Sequence, residues 1–180
     1  MLLVTLLPLC ACSMISGKQS SSDFNEQLYV DARLNFAIKH PLDWRQQQVP
    51  VSQPEYRADT VTWVIKDLQQ QSTVVGTFLI RSTVADKQKL LPDLLSEFLS
   101  TRPELKTGRV TEVTYPAGPA LKMLGHDLDR GRLTIALKGQ QRDFIISLNY
   151  PSDRFDDLLP IFEEIADSFV EILSPNGKQN

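Results

Sequence analysis

The sequence predicts an α+β domain: a mainly antiparallel sheet with helices packed against it. Three observations predict it. Four segments between Arg109 and Tyr150 alternate apolar and polar residues and are separated by short turn-forming stretches. Further strand-like segments precede them, and two stretches repeat apolar residues at intervals of three and four. The 180 residues are 42% hydrophobic and 23% charged, far from the composition of a disordered chain. A chain of this size buries roughly 70% of its unfolded surface, so one core suffices.

The first element is a targeting segment. Met1 to Ile15 carries no charge, and Leu2, Leu3, Val4, Leu6, Leu7 and Leu9 form an apolar run too short to span a bilayer, which needs about 20 residues. Pro8 also interrupts it. Leu9-Cys10-Ala11-Cys12 resembles the bacterial lipobox, in which an apolar residue at −3 and a small residue at −1 precede the cysteine that receives diacylglycerol. That resemblance implies a signal peptide over 1–11 and a lipid on Cys12; the small, polar, serine-rich run that follows reads as a flexible tether over 12–26. Several acyl chains, palmitate among them, anchor far more firmly than one, at about 0.8 kcal/mol per buried CH₂. The Lys or Arg expected before the apolar run is missing, which suggests a misplaced start codon or a short leading region. An ordinary cleaved signal and a buried N-terminal strand are the alternatives. Ser13 after the cysteine favours the outer membrane, facing the periplasm, by resemblance to proteobacterial sorting. Both cysteines lie in this region, so the domain, placed at 27–173 with a tail at 174–180, has no disulfide.

The domain opens with a hairpin of Leu28 to Val30 and Asn35 to Lys39, closed by His40-Pro41 because proline cannot donate to a continuing ladder. Val61 to Lys66 alternates, and Thr73 to Ile80 is apolar on both faces, as in a central strand. Leu90, Leu91, Leu94, Leu95, Phe98 and Leu99 keep helical spacing, with Asp86 a candidate N-cap. Pro92 fits best in the first turn of a helix beginning near Leu90. The meander is read over Arg109–Tyr115, Ala120–Leu128, Arg132–Lys138 and Arg142–Tyr150. Leu133, Ile135 and Leu137 share a face with Phe144, Ile146 and Leu148, opposite Thr134, Ala136 and Ser147, so one face is expected in the core. Finally, Phe155, Leu158, Leu159, Phe162, Ile165, Ala166, Phe169 and Leu173 make an apolar stripe from Ser152 onward, read as a C-terminal helix with Pro160 in its first turn. Asp153, Asp156 and Asp157 suit the positive end of its dipole.

Phe36-Ala37-Ile38-Lys39-His40-Pro41-Leu42-Asp43-Trp44, Gly139, Phe144, Tyr150-Pro151, Phe155, Phe162, Ile165 and Ser168-Phe169 together resemble the Mog1/PsbP-like superfamily, including its bacterial lipoproteins. The likeness runs from Asn35 to Val170 and implies an α/β/α sandwich around a mainly antiparallel sheet. Its markers are packing positions, so it transfers the fold and no functional site.

Chemical motifs are absent from the sequence: no G-x-S-x-G, no H-E-x-x-H, no phosphate-cradling glycine loop and no dinucleotide fingerprint. His40 reads as a strand-end residue and His126-Asp127 as an exposed strand pair. Asp127 and Asp129 offer two carboxylates to a cation, but Gly131 and Arg132 break the calcium-loop register. Trp44 and Trp63 are read as core rather than ligand platform, and Arg109, Arg130, Arg132 and Arg142 as scattered surface charges rather than an anion patch. A net charge of −3 and a pI near 5.4 give no basic field for nucleic acid. The resulting expectation is a membrane-tethered, non-enzymatic binding or assembly-support protein with an envelope partner, no catalytic residue, no cofactor and no metal. A small-ligand or metal carrier and an enzyme with a dispersed site are the alternatives.

Overall fold

Alternation of side chains is what makes the strands of this chain. In the computed structural model, which describes residues 25–47, 59–67, 73–102, 108–126 and 128–173, the segment read as a signal peptide, Cys12, most of the segment read as a tether and the segment read as a tail lie outside the described residues. Two sheets form. β1 (Glu26–Asp31) and β2 (Phe36–Pro41) pair antiparallel from Glu26↔Pro41 to Asp31↔Phe36, as the opening hairpin predicts. Their turn is held by Asp31, whose carboxylate accepts the backbone N–H groups of Arg33 and Leu34 at 3.0 and 2.9 Å, and by Asn35 at φ 58°.

The larger sheet has seven strands in the order β3-β4-β5-β9-β8-β7-β6. These are β3 (Arg45–Gln46), β4 (Thr60–Lys66), β5 (Val74–Val84), β6 (Arg109–Tyr115), β7 (Gly118–His126), β8 (Arg130–Lys138) and β9 (Arg142–Pro151). The four-strand meander is present with each neighbouring pair antiparallel. Its second strand ends at His126 rather than Leu128, which stands 98% exposed in the following turn.

Register aligns Leu133, Ile135 and Leu137 of β8 with Leu148, Ile146 and Phe144 of β9, and these with Phe78, Ile80 and Ser82 of β5. That row is the main core, covered by the β1–β2 hairpin and by α2 (Ser152–Asp167). The expectation of a single core face is corrected here. Leu121, Met123, Ala136 and Ile145 are buried on the opposite face beneath Leu94, Leu95 and Phe98 of α1 (Leu91–Ser100). Thr134 and Ser147, the polar residues of that face, satisfy each other at 3.2 Å. The result is a layered α/β/α arrangement.

Helix α1 starts late, with Pro92 in its first turn as predicted. Its N-cap is not Asp86. Asp86 accepts Gln88 N–H at 2.9 Å in the preceding turn, while Asp93 reaches back to Leu90 N–H at 3.2 Å. Lys138 ties this approach to the sheet: its ammonium donates to the carbonyls of Asp86 and Lys89 at 2.6 and 3.0 Å and pairs with buried Asp143 at 3.1 Å.

Two readings of the C-terminal stripe are corrected. Because α2 begins at Ser152, Pro160 lies inside the helix and not in its first turn. Proline there removes the hydrogen bond to the Asp156 carbonyl. Pro160 and Asp156 both lie on the solvent-exposed side of the helix, and buried Phe155 and Phe162 hold the helix on either side. The helix also stops at Asp167. Phe169 stacks on Phe36 at 5.7 Å beyond it, and β10 (Val170–Glu171) pairs with β2 at Ala37 and Phe36.

Glu171 then caps the β8–β9 turn, accepting the backbone N–H groups of Gln140, Gln141 and Arg142 at 2.6 to 2.8 Å. This explains Gly139: a Cβ there would stand 2.2 Å from the Arg142 carbonyl oxygen and 2.6 Å from the Glu171 carboxylate. Gly131 is similarly constrained, since a Cβ would enter the Phe155 ring at 2.1 Å.

Candidate functional site

The sheet disperses the polar residues singled out in the sequence. His40 lies in β2, 2% exposed, against Tyr29 and Trp63. Its Nδ1 donates to the Pro41 carbonyl at 2.8 Å, which leaves Nε2 to accept from the Gln27 amide at 3.3 Å. Burial pushes its pKa below the usual histidine value, only partly offset by the Pro41 carbonyl and Asp43. His40 is thus a neutral packing residue. Trp44 and Trp63 are buried on Phe78, each at a ring separation of 5.2 Å, so both are core as expected.

His126 ends β7 on the surface, with Nδ1 3.4 Å from Ser152 Oγ, Nε2 3.9 Å from Asp156 Oδ1 and its ring edge-on to Phe155 at 4.9 Å. A serine–histidine–carboxylate relay needs a shielded carboxylate to orient the ring. The Asp156 side chain is 87% exposed and beyond hydrogen-bond reach, so this trio does not form one. Asp127 lies outside the described residues, and Asp129 sits in the exposed β7–β8 turn. No group of three or more histidine, cysteine or acidic residues suited to a metal occurs among the described residues.

The four arginines do not converge. Arg132 pairs in register with Asn149 and Arg142 with Val84 beside the far end of β9, seven residues away, or about 23 Å along a strand. Arg142 donates to the Ser82 carbonyl at 3.0 Å and Arg130 to the Val75 carbonyl at 2.6 Å. Arg109, aligned with Leu124 and Leu133, belongs to the other face from Arg132.

One concave surface was not legible in the sequence. Because α1 packs over β7, β8 and β9, the last strand, β6, is left uncovered on that side among the described residues. The result is a groove of about 660 Å³, within the range of ligand pockets. Pro92, Leu95, Ser96 and Leu99 form its helix wall; Val110, Glu112 and Leu121 form its floor. Val110 is 48% exposed there. On the opposite face Tyr115, the last residue of β6, donates its hydroxyl to Glu163 of α2 at 3.1 Å, and Lys122 of the neighbouring β7 pairs with Glu163 at 2.8 Å. Burial, with Glu163 nearby, raises the Tyr115 phenol well above its ordinary pKa, so it stays a donor. One end of β6 is thereby tied to α2. No helix among the described residues is long and apolar enough to cross a membrane.

No family model and no curated protein matches the sequence. Solved structures do match. Cyanobacterial PsbP (CyanoP) from Synechocystis sp. PCC 6803 has a TM-score of 0.60 at 15% identity, covering 91% of this chain and 99% of that one. The Saccharomyces cerevisiae Ran-binding protein Mog1p has a TM-score of 0.52 at 12% identity, covering 83% and 96%. At such identities the likeness speaks to architecture, and on it the chain has the Mog1/PsbP-like fold.

Proposed function

We propose that this chain is a non-enzymatic binding or assembly-support lipoprotein of the bacterial cell envelope, held by lipid on Cys12 at the outer membrane and facing the periplasm. The observation that carries the binding role is the α1–β6 groove: lined on its helix wall by Pro92, Leu95 and Leu99 with two serines, open to solvent, and floored by a strand tied to α2 at Tyr115. Tethering supports the same reading, because confinement near envelope partners raises effective concentration and lets a modest surface suffice. The test is crosslinking of the native protein in its own envelope, paired with an activity screen of the purified chain against envelope substrates and divalent metals. A reproducible protein neighbour without turnover is expected. Turnover abolished by one polar substitution that leaves the fold intact, Ser152→Ala or His126→Gln for instance, overturns the reading in favour of an enzyme.

A further inference from the structure

We infer that the α1–β6 groove takes an extended peptide of a partner protein. The peptide adds a strand to the free edge of β6 and carries an apolar residue and a basic residue two positions apart, read by Val110 and Glu112. This rests on the groove being the binding surface.

The two edges of the large sheet differ in kind. At one end β3 is two residues long, and its neighbour β4 breaks register at Ile65/Lys66. Short, irregular edges resist added strands. At the other end β6 runs seven residues, pairs with β7 at every position from Arg109↔Leu124 to Tyr115↔Gly118, and contains no proline or bulge. Its outer edge has no ladder partner among the described residues. An edge of unbroken register beside a helix-walled groove is the geometry for strand addition, where main-chain hydrogen bonds supply affinity and alternate side chains supply specificity.

The strand period then dictates what is read. Residues of an added strand that face α1 stand opposite Val110 and Glu112, hence two apart, with the residue between them on the other face beside Thr111. Exposed Val110, with Leu99 across the groove, calls for an apolar side chain. Glu112 makes no ion pair among the described residues and is exposed on the floor, so it calls for Lys or Arg. The same carboxylate argues against a second copy of the chain as occupant. Full two-fold antiparallel pairing of β6 with itself places Glu112, its middle residue, directly opposite Glu112. Like charges so placed are destabilising.

The experiment uses the full chain in detergent micelles and follows backbone hydrogen exchange with two synthetic peptides, acetyl-TVTKTVT-amide and acetyl-TVTETVT-amide, in which either strand direction sets the charged residue opposite Glu112 and a valine opposite Val110. The lysine peptide, at ten times its Kd, is expected to slow β6 amide exchange about tenfold and to leave β3 and β4 unchanged. Glu112→Lys, an exposed substitution whose fold is checked by unaltered exchange in β8 and β9, is expected to reverse the preference toward the glutamate peptide. No slowing in β6, equal slowing by both peptides, or slowing that depends on protein concentration alone overturns the inference. If β6 does not respond while groove positions still crosslink to an envelope protein, strand addition is wrong and the binding role stands. If neither occurs, both are wrong.

Discussion

At the residue scale, His40 shows how little a lone histidine reveals before its neighbours are known. In the sequence it stands beside Pro41 with no ligand spacing; in the fold it is sealed between Tyr29 and Trp63 with both ring nitrogens committed. Its folded-state pKa lies below the unfolded value of about 6.5. Both states are therefore neutral above that value, and as pH falls through it the unfolded chain gains a proton that the folded chain refuses. Stability should fall toward acid, by at most about 1.4 kcal/mol per pH unit from this group. Urea titrations at pH 7.5 and 5.5 should show that loss in the natural chain and a smaller one in His40→Leu. Equal losses would show that His40 is not the titrating group. The polar residues of the groove were illegible for a related reason: Glu112 sits in an ordinary alternating strand, and nothing local marks it as the floor of a cleft.

At the scale of elements, legibility followed periodicity. The meander and both helices were read because apolar residues repeat at two, or at three and four, over long enough stretches. β10 escaped because two residues have no period of their own, and Phe169 and Leu173 happen to continue the helical stripe. Pro160 was misplaced because local propensity assigns an interior proline about 3 kcal/mol of cost, whereas tertiary burial of Phe155 and Phe162 outweighs it. The second core face was missed because Thr134, Ala136 and Ser147 look like a solvent face until α1 covers them. Phe162 is fully buried, edge-on to Phe78 at 5.6 Å. Phe162→Ala should cost about 3–5 kcal/mol in denaturant titration. A cost near zero would mean that α2 does not close the core.

At the scale of the whole molecule, the described residues begin with β1 at the base of the tether read at 12–26, and the groove belongs to the opposite sheet face from the one that β1, β2 and α2 cover. Lipid on Cys12 would therefore hold the molecule by the strand that opens the hairpin and leave α1 and β6 to partners. Intact mass spectrometry of the membrane fraction should find an acylated polypeptide beginning at Cys12, and Cys12→Ser should release or misprocess it. A mature terminus elsewhere without lipid removes the anchor from this account. The groove itself joins residues 92–100 to residues 110–121, a juxtaposition made by packing α1 on the sheet, so no linear motif encodes it.

The central claim, that the α1–β6 groove is the working surface, is tested most directly by placing a photo-crosslinking residue at Val110 and, separately, at Leu128, and irradiating intact cells. Val110 lines the groove at 48% exposure, and Leu128 stands 98% exposed in the β7–β8 turn. The account predicts one reproducible envelope-protein adduct from Val110, lost in Glu112→Lys, and none from Leu128. An adduct from Leu128 with none from Val110 would contradict it.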